Sequence, residues 1–244
     1  MKVLLMAGTR EARAVAAGLQ RARIPAVASF AGVTRAPELP DIPSRIGGFG
    51  GEAAFEVYLA EAEITHIIDA THPFAAQISA RVARVAPRLG RPSIHVLRAP
   101  WRPGPGDHWT QIATEEEAAA HLRPSDRVFL ATGRQTLARF ANLAPRPVFC
   151  RQIDPPRQPF PFPGGEFVVA RPPFSETDEI ALFKRLAIDA LIVKNAGGAM
   201  SATKLAAARA LGMPVIMIKR PPPPKGRIVE TAGEALTWIG SQSA

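Results

Sequence analysis

Residues 189–211 read DALIVKNAGGAMSATKLAAARAL, bringing two lysines, an asparagine and a pair of glycines to one junction. The apolar run 190–193 has the character of a buried strand and stops at Lys194 and Asn195. Ala196, Gly197 and Gly198 turn the chain, and Thr203 and Lys204 open a segment rich in Ala and Leu that reads as a helix. A strand feeding a glycine turn and then a helix N-terminus makes a site for anions. The turn leaves backbone N–H groups free, and the helix dipole places partial positive charge there. Lys194, Asn195, Gly197, Gly198, Thr203 and Lys204 are therefore candidates for holding phosphate or carboxylate. The same pattern also fits an ordinary strand–helix turn with solvated lysines.

Three further candidates fall just past the C-terminal ends of expected parallel strands, where open α/β sheets place their ligands. Gly8, Thr9 and Arg10 follow the first strand; with one glycine they are not the three-glycine dinucleotide fingerprint, yet they suit a phosphate. Residues 69–75, DATHPFA, end a strand in a carboxylate, a hydroxyl and an imidazole, which makes Thr71, His72 and Phe74 candidates. Thr132, Gly133 and Arg134 repeat the small, hydroxyl and basic types of the first turn. No second His stands at metal-ligand spacing from His72, so no metal site is expected. There is no Gly-x-Ser-x-Gly elbow, no Walker loop and no paired-carboxylate signature, and Cys150 lacks a His partner in sequence. Phosphate-friendly turns without a nucleophile suit an enzyme whose cofactor carries the chemistry.

The elements that must position these turns alternate regularly. Strands are expected at 2–7, 25–31, 45–49, 64–70 and 92–97, with helices at 10–21, 52–63 and 75–89, Thr9 capping the first. The stretch 101–109, WRPGPGDHW, interrupts the alternation. A second cycle has strands at 127–131, 147–153, 166–170, 190–193 and 214–218 and helices at 115–122, 135–143, 176–187, 202–211 and 233–239. The proline-rich segment 154–165 reads as an ordered loop. Repeated β–α units predict an α/β fold of two three-layer halves with mainly parallel sheets, divided as residues 1–110 and 111–244. No sequence repeat between the halves is obvious.

The chain has 244 residues, 47% of them apolar, and a formal net charge of +9. Its basic residues lie mostly singly along helices, without the runs or aromatic interleaving of a nucleic-acid binder, so the excess fits an acidic small-molecule ligand. No apolar run reaches the roughly 18–20 residues that cross a bilayer. The apolar start is too short for a signal peptide, and one cysteine permits no internal disulfide; a cytoplasmic protein without membrane or nucleic-acid partners is expected. Nothing in the sequence indicates an oligomeric state.

At the candidate residues the chain resembles the precorrin-6A reductases of cobalamin biosynthesis. The matching segments are AGTREAR (7–13), DATHPFAAQIS (69–79), LRAPW (97–101), ATG (131–133) and VKNAGG…TKLAAARALGMPVIMIKRP (193–221). Many relatives carry Gly where this chain has Ala7 and Ser where it has Ala196, so no side-chain role is carried onto position 196. The resemblance implies two Rossmann-like domains with a ligand cleft between them and NADPH as cofactor. It implies hydride transfer to one double bond of a macrocyclic tetrapyrrole, precorrin-6A, to give precorrin-6B without flavin or metal. Gly8, Thr9, Arg10, Thr71, His72, Phe74, Thr132, Gly133 and Arg134 would then serve the cofactor. The cluster from Lys194 to Lys204 would serve substrate carboxylates or cofactor phosphate, and His72 and Lys204 are candidate proton donors. A reductase of another acidic metabolite, or a nucleotide- or tetrapyrrole-binding protein without turnover, would share these features.

Overall fold

Val3, Leu4 and Leu5 are all fully buried, the pattern of a parallel strand covered on both faces rather than one. The structure, a computed structural model, describes residues 1–32 and 40–242. The chain divides into two units, Met1–Ala99 with Pro221–Ala244, and Pro100–Arg220.

The first unit begins with strands β1 (Val3–Met6), β2 (Ala26–Phe30), β3 (Ser44–Ile46), β4 (His66–Asp69) and β5 (Ser93–Val96), joined by helices α1 (Arg10–Arg21), α2 (Glu52–Glu61) and α3 (Ala76–Arg88). All pairings are parallel, and Met6 lies opposite Asp69, so the loops leaving β1 and β4 emerge side by side. In α1 the buried positions Ala12, Val15, Ala16 and Leu19 follow helical spacing and cover one sheet face. Phe55 and Leu59 of α2 and Val82 and Val85 of α3 cover the other.

The second unit has β6 (Trp109–Ile112), β7 (Val128–Ala131), β8 (Val148–Gln152), β9 (Gly165–Val169), β10 (Ala190–Lys194) and β11 (Val215–Ile218). Helices α4 (Glu176–Arg185) and α5 (Thr203–Ala210) pack on one face through Phe183 and Leu205. Residues Glu115–His121 and Arg134–Leu143, expected as α-helices, are wound more tightly as 3-10 helices. They pack against each other through Arg139, which pairs with Glu115 and Glu116, and through the Asn142 amide, which donates to the Glu116 carbonyl.

The division expected at residue 110 needs correction at the C-terminal end. Strand β12 (Arg227–Val229) pairs with β5, and helix α6 (Ala232–Ser241) packs on α1, so both belong to the first unit. Ala235, Trp238 and Ile239 enter that unit's core, each large side chain contributing about 1.5–3 kcal/mol by burial. Strand β6 in turn leaves the first cycle to pair with β11.

The result is one strand order used twice: β3-β2-β1-β4-β5-β12 and β9-β8-β7-β10-β11-β6. The sixth strand of the first sheet, β12, comes from beyond the whole second unit, whereas that of the second sheet, β6, directly precedes β7 in the chain. Once the units are aligned, a repeat is visible in the sequence. Residues 92–100 and 214–222 share Pro-x-Ile-x-x-x-Arg-x-Pro, and 114–118 and 231–235 share Thr-x-x-Glu-Ala. Glu117 and Glu234 make the same cap, accepting from the Thr114 and Thr231 amides at 3.1 and 2.9 Å.

Candidate active site

In the first unit the turn after β1 is open. Gly8 has φ of 128°, a conformation that disfavours any side chain, and a β-carbon there would meet no atom within 4 Å. Thr9 caps α1: its hydroxyl accepts from the Ala12 amide at 3.1 Å and donates to the Ala70 carbonyl at 2.7 Å. That hydroxyl is spent on fixing the turn against the end of β4, leaving the exposed Gly8 and Arg10 at the helix start to meet a ligand. The side-chain-free backbone at Gly8 and the positive end of α1 suit an anionic group.

Beside this turn, Asp69 and His95 face each other across β4 and β5, with Oδ2 to Nδ1 at 2.9 Å and both residues buried. The other Asp69 oxygen accepts from the Thr71 amide at 3.1 Å and its hydroxyl at 2.7 Å. Burial alone would raise the Asp69 pKa, but hydrogen bonds from His95, Ser79 and Thr71 outweigh it and hold the carboxyl below its ordinary value. An ionised Asp69 makes His95 Nδ1 the donor, while its Nε2 is buried without a hydrogen-bond partner. Asp69 thus fixes the loop carrying His72 and Phe74. His72 is exposed and its Nδ1 accepts from the Phe74 amide at 3.2 Å, which leaves any proton on Nε2. Thr71, His72 and Phe74 share this strand edge with Gly8 and Arg10.

The second unit gathers the other candidates at its own strand ends, with altered roles. Lys194 does not reach outward: its ammonium donates to the Thr136 hydroxyl at 3.1 Å and lies 3.9 Å from buried Glu115. The Asn195 amide is also engaged, accepting from the Trp101 N–H at 2.8 Å and donating to the Trp101 carbonyl at 3.0 Å. Gly197 and Gly198 take φ of 69° and 86°, and the Gly198 carbonyl accepts from the Trp101 indole at 3.0 Å. Arg220 clamps the same loop through the carbonyls of Asn195 and Ala196. Thr203 and Lys204 begin α5 as expected. Thr132 is buried, while Gly133, with φ of 72°, and exposed Arg134 lead into the 3-10 helix.

The model of the precorrin-6x reductase family CbiJ/CobK matches residues 2–240. The chain belongs to that family. It is 44% identical to a precorrin-6A reductase of Rhodococcus erythropolis, over 98% of each chain, and 40% identical to one of Rhodobacter capsulatus, over 100% of this chain and 97% of the other. A solved CobK precorrin-6A reductase structure superposes with a TM-score of 0.94 at 40% identity, covering 100% of this chain and 98% of that one.

Three features of this reductase family member escaped the sequence. His95 completes the Asp69 network from a neighbouring strand, so only sheet order relates the two. Trp101 and Arg220 both fall in segments that carry the resemblance, but their meeting at one loop, 119 positions apart in the chain, was not visible in it. Arg151 forms a two-pronged pair with Glu179 at 2.7 and 2.6 Å, its guanidinium between the rings of Phe129 and Phe174. Arg220 lies in the segment 193–221 that carries the family resemblance and in Pro-x-Ile-x-x-x-Arg-x-Pro, but neither signal tells what it contacts. Cys150 is buried, which pushes its thiol up to about 12 and removes it as a nucleophile near neutral pH.

Proposed function

We propose that the chain is a cytoplasmic, NADPH-dependent precorrin-6A reductase that forms precorrin-6B, with the cofactor held by the first unit and the macrocycle by the second. The observation that carries the cofactor assignment is the open turn at Gly8 leading directly into the N-terminus of the α-helix α1. The corresponding turn of the second unit, at Gly133 after β7, is as open as Gly8 but leads into a 3-10 helix rather than an α-helix, and the buried Glu115 carboxylate stands beside Lys194 at the neighbouring strand end. This leaves Gly8, Arg10, Thr71, His72 and Phe74 for the cofactor, with Thr9 fixing the turn that presents the first two. Thr132, Gly133, Arg134 and the loop from Gly197 to Lys204 are left for the substrate.

The 2′-phosphate is supported at the end of β2. Among the described residues at this strand end, 29–32, there is no acidic side chain to claim a ribose hydroxyl; instead buried Ser29 accepts from Arg45 Nη1 at 2.7 Å. Arg45 packs over the rings of Phe49 and Tyr58, which keeps its charge at this edge.

NADPH, when bound, supplies the hydride. The residues of the chain bind and orient: α1 and Arg10 hold anionic groups, Thr9 and Asp69 fix the two loops, and the second unit holds the carboxylate-bearing ring. Alignment of donor and acceptor carbons at about 3–3.5 Å is worth several kcal/mol of barrier. His72 can keep a proton on Nε2 for the product, although reduction of an iminium-like carbon needs no protein acid.

Absorbance at 340 nm with precorrin-6A tests the reading. NADPH oxidation should depend on precorrin-6A and not on keto acids or sugars. Arg45→Ala should erode the preference for NADPH over NADH by about tenfold or more, the weight of one charge-assisted contact. Binding of NADPH without oxidation would favour a non-enzymatic binding protein instead.

A further inference from the structure

We propose that Lys204, steadied by Trp101, is the subsite for one carboxylate of the tetrapyrrole. The inference rests on the reductase reading, which supplies a polycarboxylate substrate. Its argument comes from the two lysines at this strand edge, which have opposite surroundings. Lys194 has a hydroxyl and a carboxylate. Lys204 is half-buried, donates to the Ser201 carbonyl and sits 5.5 Å from the centre of the Trp101 ring. Among the described residues no carboxylate lies within 4 Å of its ammonium.

The charges that act on Lys204 are Glu179 on α4 and Arg151 on β8. Both oxygens of Glu179 are taken by Arg151. Two cations therefore share one acid, and the surroundings of Lys204 carry a net positive charge. A half-buried ammonium without its own counter-ion is an incomplete arrangement, because charges removed from water need a partner. Trp101 is rigidly placed to present it, since its N–H, carbonyl and indole N–H are all bonded to Asn195 and Gly198.

The affinity should also depend on pH. Burial brings Lys204 down to about 8, with Glu179 opposing the shift and Arg151 adding to it. The ammonium is charged below that value and neutral above it, whereas the substrate's carboxylates stay ionised from neutral to alkaline pH. Carboxylate binding at Lys204 is thus present near pH 7 and lost as pH rises through about 8.

The test is the KM for precorrin-6A at saturating NADPH, with the NADPH Kd measured separately by fluorescence and the fold checked by thermal melting. Lys204→Met should raise KM by about tenfold near pH 7 and leave the NADPH Kd within about twofold, as loss of one charged contact predicts. Wild-type KM should climb between pH 7 and 9. Lys204→Arg, which stays charged, should bind substrate and lack that climb. An unchanged KM in Lys204→Met, or a weakened NADPH Kd in its place, overturns the subsite while leaving the reductase reading intact. A wild-type chain that oxidises no NADPH with precorrin-6A overturns both.

Discussion

Asp69 shows how one buried carboxylate can set a loop. Its two oxygens serve His95 and Thr71, so the turn bearing His72 and Phe74 inherits its position from a group that never reaches the ligand. Asp69→Asn keeps the shape but sets an amide N–H₂ against the His95 donor; the expected loss is about 1–3 kcal/mol at neutral pH, with weaker NADPH binding. The pH dependence follows from the lowered pKa. The stabilisation is whole above the unfolded value of about 3.9 and disappears as pH falls through the lower folded value. Denaturant melts at several pH values should therefore show wild type and variant converging in acid, and a gap that persists there would refute the assignment. The sequence revealed the strand-end residues and the Thr9 cap, because those depend on neighbours in the chain. It concealed the His95 partner, which depends on which strands adjoin, and the engagement of Lys194 and Asn195, which depends on where a side chain turns.

Regular elements were legible where burial on both faces leaves a nearly continuous apolar run, as in β1, β4, β10 and β11. The strands not expected, β6 and β12, are short edge strands carrying polar residues such as Thr110, Gln111 and Arg227, set beside Pro- and Gly-rich stretches. An edge strand buries less and so lacks the pattern that identifies its neighbours. Close packing between helices left a subtler trace in Gly18 of α1, where a β-carbon would collide with the Leu236 side chain of α6. Gly18→Val should drive the two helices apart and lower stability by about 1–3 kcal/mol, the usual penalty for overpacking. Thermal melting checks it, and Leu236→Ala in the same chain should recover part of the loss.

Across the whole molecule, the origin of the sixth strands decides which pieces of chain are self-sufficient. Residues 100–220 contain all six strands of their sheet, whereas residues 1–99 lack β12 and α6. A fragment of residues 100–220 should unfold cooperatively by circular dichroism. A fragment of residues 1–99 should not, until residues 221–242 are joined to its end through a flexible linker. Cooperative melting of 1–99 by itself would show that β12 and α6 are dispensable. The α/β class and the two halves were readable because local periodicity specifies them; the return of β12 was not, because strand pairing over more than a hundred positions leaves no local mark.

That architecture also sets an order of events during translation. Residues 1–99 are made before the β12 and α6 that complete their sheet, while residues 100–220, made in between, hold all their own strands. The β5 edge of residues 1–99 therefore stays unpaired until β12 and α6 have been made, so a synthesis stalled between these stretches leaves the earlier one without its closing strand.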